Sequence, residues 1–462
     1  MTARTTMAKK AVKKKPAVKK RVAAPVNTAA RQRVERLYWR AGFGALPREV
    51  DALARQPLTK VVNGLLTPRG PQLHGPAPRV EGHPIDPAND WGHDVLWWLD
   101  RAVRGRHTLV ERMTLNWHDH FATSNQKVGD VKLMIRHYQT LRAHSLGSFR
   151  GLAQAMLRDR AMQRFLDLQN SDKRSPNENF ARELFELFTL GVNNGYTERD
   201  IREAARALTG FTYDWDRRRF GYDASRHDDG VKVIFGKRGR FTGANVVDLA
   251  INHPRHAPFI CKKIWSYFTP RPCPPGTLRQ MVAAYRSSKT QIKPVLSIIL
   301  RHPALYAGLN EPDQVKPPLV FLAGMMRKSG QFVRVADWSW LLDDMGQQPF
   351  YPPNVNGWDQ DAAWMTTASA RARFQAASRV IRDMKIEDGS IAGTQTAKVA
   401  LERALAATGN PWISSQTRAA LQRFARTSVA GRTDKWEVKH YYPERQRVLR
   451  HMLLAGPDAQ VC

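Results

Sequence analysis

The chain has few cysteines: Cys261, Cys273 and Cys462 are the three in 462 residues, and none stands in CxxC or Cys/His finger spacing. That excludes a disulfide framework and a structural zinc finger, and it fits a reducing compartment. No apolar run approaches the roughly 18 residues that span a bilayer. No apolar segment follows the basic start as a secretory signal requires. A soluble, cytoplasmic protein without a transmembrane segment is predicted. Familiar catalytic signatures are missing too: there is no GxSxG elbow, Walker A loop, HExxH or GxGxxG, so no reaction can be read from a short motif. Residues 1–31 hold no acidic side chain.

Positive charge is what the chain has in excess, with a formal net charge of +32. Ten Lys or Arg lie in residues 1–31, around the phrase AKKAVKKKPAVKKR, whose Ala/Lys/Pro composition cannot build a core and predicts a disordered tail. About +22 remains on the rest of the chain, so the body is basic as well. Such a tail suits nonspecific contact with nucleic acid or another polyanion, since each neutralised phosphate releases counterions. A purely solubilising tail is the other reading. Residues 32–462 are 431 residues of largely helical pattern, and the chain's 42% hydrophobic content suffices for a large core, so they read as a single large helical domain.

Helical periodicity dominates that body, and the predicted class is mainly α: a multi-helix, bundle-like body with a small β-hairpin or flap around 211–236. A Pro/Gly-rich surface loop is expected at 68–90 and a helix over Asp94–Arg104. Another helix is expected from Thr108 to Phe121, with Val110, Met113, Trp117 and Phe121 as its buried stripe. In QQPFYPPNVNGWDQDAAW, Pro352, Pro353 and Gly357 forbid regular structure while Tyr351, Trp358 and Trp364 favour packing onto the body.

The clearest stretch is SPNENFARELFELFTLGVNNGYTERDIREAARALTG, Ser175 to Gly210. Ser175 reads as an N-cap, Pro176 as the first helical residue and Glu178 as its capping-box partner. Gly191 suits a left-handed C-terminal position, Asn194-Gly195 a turn, and Thr197 with Asp200 a second N-cap for a helix from Glu198 to Thr209. On the first helix Phe180, Ala181, Leu184, Phe185, Leu187 and Phe188 share one side, and Asn179, Arg182, Glu183 and Glu186 the other. If solvated, that polar face is a surface with an Arg182–Glu186 pair worth a few tenths of a kcal/mol. If buried, it places Glu183 and Glu186 as general acid/base or metal-ligating carboxylates, with Arg182 and Asn179 beside them.

Two other segments could join that site. In WHDHF, His118 and His120 have metal-ligand character, but residues two apart on a helix point about 160° away from each other. In the loop at 226–230, RHDDG, His227 and Asp228 sit near a strand end. A divalent metal is the cofactor such a set would hold.

RLYWRAGFG at 36–44, ERMTLNWHDHFATS at 111–124, PNENFARELFELFTLGV at 176–192, YTERDIREAARALTGF at 196–211, RHDDGVKVIFG at 226–236 and PPNVNGW at 352–358 occur in this order. With them the chain resembles the bacterial family catalogued as domain of unknown function 1800, from about residue 33 to its C-terminus. The resemblance carries no established chemistry. It implies an envelope or extracellular role, because relatives often look exported and are often encoded beside sulfatase-like or phosphatase-like proteins. Here a lysine-rich tail stands in place of an export signal. Two readings of function follow. One is an uncharacterised enzyme, hydrolytic in type, whose polar or metal site joins the 176–190 helix, WHDHF and the 226–230 loop. The other is a noncatalytic helical protein whose basic tail and surface bind a polyanion.

Overall fold

A computed structural model describes residues 28–46, 49–214, 219–386 and 395–462. The lysine-rich run of the tail, within residues 1–27, lies outside the described residues. The body is mainly α-helical, and its first helix already begins at Thr28. Among the described residues no helix is long and apolar enough to cross a membrane. The β-structure consists of small two-stranded antiparallel hairpins. The expected flap resolves into two of them: Phe211–Asp214 pairs with Arg219–Tyr222, and Lys232–Ile234 pairs with Lys237–Gly239. The 68–90 segment is irregular apart from one two-residue hairpin.

Two large hydrophobic clusters make up most of the core, and the Thr108–His120 helix lies between them. Leu109, Met113 and Trp117, followed by Phe121, pack into the first cluster with Phe149, Phe180 and Phe188. Leu115 packs on the opposite side into the second, which holds Trp98, Tyr138, Phe350 and Trp358. Each such side chain, once fully buried, contributes about 1.5–3 kcal/mol. At about 100° per residue, Arg112, Asn116 and Asp119 fall within roughly 60° of one another, in the seam between the two apolar arcs.

The second core is tied together by a buried arginine. Arg327, on the Pro318–Ser329 helix, donates to the carbonyls of Ala102 at 3.2 Å, Val103 at 2.7 Å and Gly105 at 2.9 Å, and to Gly44 at 3.0 Å. It thereby caps the C-terminal end of the His93–Arg104 helix, whose last carbonyls lack intrahelical partners.

The Ser175–Gly210 stretch differs from its expected form at its start. The helix begins at Asn179, not at Pro176. The Asp172 carboxylate accepts from the backbone N–H groups of Arg174 and Ser175, which holds Ser175 in a turn, and Asn177 Oδ1 accepts from Asn179 N at 2.9 Å instead. From Leu184 to Thr189 the helix widens to a π-helix. The last carbonyls of the helix lack intrahelical partners. They find partners: His120 Nε2 donates to Phe188 O at 3.1 Å, and His256 Nδ1 donates to Thr189 O at 2.8 Å.

The second half of the hairpin forms as expected. Thr197 Oγ1 accepts from Asp200 N at 3.2 Å and Asp200 Oδ2 accepts from Thr197 N at 2.8 Å, a complete capping box for the Glu198–Ala207 helix. The other Asp200 oxygen accepts from Phe235 N at 2.7 Å, docking the second β-hairpin. Thr197→Ala is expected to lower stability by about 1 kcal/mol, seen as a lower urea midpoint. An unchanged midpoint would contradict the cap.

Candidate functional site

The polar stripe of the 179–189 helix forms an ion-pair network at the surface. Arg182 is 34% exposed and pairs with Glu198, itself 62% exposed, through two bonds of 2.9 and 2.8 Å. Glu178 and Glu186 reach the same guanidinium at 3.2 and 3.4 Å. Asn179 Nδ2 donates to Leu166 O at 3.4 Å. Glu183 is half-buried, and burial, followed by the nearby Glu186, pushes its carboxyl upward.

WHDHF divides between the two cores. His120 stacks edge-on against Trp117, Phe121, Phe149 and Phe188 of the first cluster. His118 packs among Trp98, Phe350 and Trp358 of the second, 5.7 Å from the His137 ring. Burial pulls both imidazoles well below the usual histidine range, so both are neutral. The loop pair is held elsewhere. Asp228 takes a bidentate bond from Arg206 at 2.7 and 3.2 Å, and His227 Nδ1 donates to Thr209 O at 3.0 Å. Burial raises the Asp228 carboxyl, but the Arg206 bonds outweigh it and hold the group below its ordinary value. His118, His120, His227 and Asp228 are therefore not brought together, and among the described residues no group of three or more His, Cys, Asp or Glu is placed to hold a metal ion.

The residue between the two histidines stands in a different setting. Asp119 lies at the end of the seam, where Oδ1 accepts from Trp358 N at 2.7 Å and Oδ2 from Gln360 Nε2 at 3.2 Å. The loop reaches it because Gly357 has a φ of +85°, and a Cβ there would come within 2.3 Å of Asp119 Oδ1 and 2.5 Å of Asp119 O. Gly357→Ala is expected to cost about 2–3 kcal/mol, from the left-handed backbone and the clash together, and guanidinium unfolding measures it. Wild-type stability in that variant would show that the loop does not dock as described.

Opposite Asp119, the His256–Phe268 helix presents Lys263 and Tyr267, one turn apart. Asp119, Lys263 and Tyr267 are each partly exposed, so solvent reaches the polar recess between the two helices. Burial raises the Asp119 carboxyl to about 6, against the opposing pull of the Trp358 N–H and of Lys263. Burial lowers the Lys263 ammonium, with Asp119 drawing it back up. Burial pushes the Tyr267 phenol up to about 12, so it stays protonated, and its hydroxyl donates to Arg112 O at 3.5 Å. Arg112 lies under Tyr267, its guanidinium carbon 4.8 Å from the ring centre.

This recess gathers a carboxylate able to exchange a proton near neutrality, a phenol, an ammonium and a guanidinium. Arg112, Asn116, Asp119, Lys263 and Tyr267 were not singled out by sequence reasoning, although a signal existed. Polar residues at i, i+4 and i+7 on an otherwise apolar helix mark a stripe as clearly as histidines mark a ligand.

No curated protein and no solved structure matches the chain. The model of one family does, described as a protein of unknown function, DUF1800, and it matches residues 36–461. The chain belongs to the DUF1800 family.

Proposed function

We propose that the protein is an acid–base enzyme, hydrolytic in type, and that Asp119 is its general base. The observation that supports this most is the Asp119 carboxyl itself, raised to about 6 in a recess that solvent still reaches. A base is most effective when its pKa lies near the working pH, because it is then largely ionised and still basic. The Tyr267 hydroxyl, neutral and held only by its long 3.5 Å bond to Arg112 O, would turn to donate to a developing oxyanion, and Lys263 would offset its charge. The 352–358 loop would hold the Asp119 carboxylate in place through the Trp358 N–H. Turnover should rise with pH through about 6, as Asp119 ionises. A panel of ester, amide, phosphomonoester and sulfate-ester substrates, run with wild type and Asp119→Asn, tests the reading. Turnover that survives unchanged in Asp119→Asn would exclude Asp119 as the base.

The +32 net charge favours a second activity alongside, polyanion contact through the basic tail. DNA retention across a salt series, for the full chain and a form lacking residues 1–27, measures it. Identical salt slopes would reject a role for the tail.

A further inference from the structure

We propose that Arg112, Asn116 and Lys263 form an oxyanion subsite next to Asp119, so that the molecule bound in the recess carries a carboxylate, phosphate or sulfate group. The proposal rests on the Asp119 recess being a working site, but it is measured separately.

Arg112 is the unusual group of the recess. It is 1% exposed, and its Nε and Nη1 have no hydrogen-bond partner. Every other buried arginine among the described residues donates to at least one acceptor. Arg36, Arg40, Arg327, Arg373, Arg445 and Arg450 bond backbone carbonyls, and Arg104 bonds the Asp100 carboxylate. A guanidinium withdrawn from water with its donors unmet is costly, and a protein that supplies acceptors seven times elsewhere supplies none here. An anion arriving from the recess would meet that need.

The surroundings fit such an anion. Tyr267 covers the face of the guanidinium, which leaves its edge, where the N–H donors lie, for a second group. That edge shares a helix face with Asn116, whose amide adds a neutral donor, and with Asp119 one turn further on. Lys263, one helical turn from Tyr267, makes no ion pair within 4.0 Å among the described residues, although it is near enough to Asp119 for each to shift the other. Two cations and one carboxylate leave the recess with an unbalanced positive charge, and an oxyanion would balance it while taking paired bonds from Arg112.

The test is isothermal calorimetry of the full chain with sodium sulfate, phosphate and acetate in separate titrations, at constant ionic strength set with chloride. Saturable binding of at least one anion is expected. Preference for the tetrahedral ions would point to a phosphate or sulfate ester, and preference for acetate to a carboxylate. Arg112→Met should weaken binding roughly 10- to 100-fold, the range for hydrogen bonds to a charged group. Arg112→Lys, which keeps the charge and guards against a folding defect in the first variant, should weaken it less. Lys263→Met should also weaken it, and Asp119→Asn should bind at least as tightly as wild type. Absence of saturable binding by all three anions, or wild-type affinity in Arg112→Met, would overturn the subsite. An Asp119 carboxyl found near 4 alongside Arg112-dependent anion binding would sink the catalytic reading alone, and one found near 6 without anion binding would sink this subsite alone.

Discussion

Asp119→Asn is expected to lower turnover by roughly 10²–10⁴-fold, the usual worth of a general base. It should also make the protein more stable, by about 1–2 kcal/mol at pH 7–8. The two effects share one cause. Burial raises the folded-state carboxyl to about 6, above its value in the unfolded chain, so the folded state binds the Asp119 proton more tightly. That contribution to stability is fully present below about pH 4 and is lost as pH rises through about 6, where an ionised carboxylate must be held among protein groups. Asparagine keeps an oxygen for the Trp358 N–H and carries no charge. The variant's advantage should therefore be absent near pH 4, grow between pH 4 and 6 and level off above. Because solvent reaches the carboxylate, the gain stays below what full burial would give. Urea unfolding at a series of pH values measures it. Equal stability of the two proteins at pH 8 would mean that the recess does not raise Asp119. A loss of activity together with a gain of stability is the mark of a group kept for chemistry at a structural cost.

Arg327→Met should produce the largest loss of stability, about 3–5 kcal/mol, with no direct contact to the recess. Four backbone carbonyls would lose a charged donor, three of them at the C-terminal end of the His93–Arg104 helix. Burial pushes the Arg327 guanidinium down to about 10, which leaves it charged at neutral pH. Arg327→Lys should recover only part of the loss, because a point charge cannot reach acceptors spread over two segments as a planar fork does. Since Phe350 and Trp358 belong to the same cluster, the 352–358 loop should be the first part of the recess to loosen. Chemical denaturation of the two variants checks the order, and a loss below about 1 kcal/mol in Arg327→Met would show that water replaces the side chain.

Much of the architecture was legible from local rules. The Thr108–Phe121 helix, the Thr197–Asp200 cap and the mainly helical class follow from periodicity and capping, and the structure has them. His118 and His120 also point apart, as helix geometry requires, and each faces a different hydrophobic cluster. The Ser175 cap was not legible correctly, because the competing acceptor is Asp172, an upstream side chain that local capping preferences do not weigh. The π-turn could not be read at all, since the histidines that stabilise its carbonyls come from 68 and 67 residues away.

The site was half legible. WHDHF and PPNVNGW stood out as segments, and they do meet, through Asp119 and Trp358. Asp119 did not stand out, because histidine draws attention by its chemistry whereas Asp119 gains its character from burial that only the fold supplies. Lys263 and Tyr267 were hidden in an apolar helix for the same reason.

The central claim is that Asp119 holds a proton near neutrality, and its titration tests this most directly. In protein labelled with ¹³C at the aspartate carboxyl, the Asp119 resonance is identified by its disappearance in Asp119→Asn and followed from pH 3 to 9. The account predicts a midpoint near 6. A midpoint near 4, the ordinary value for an exposed aspartate, would contradict it.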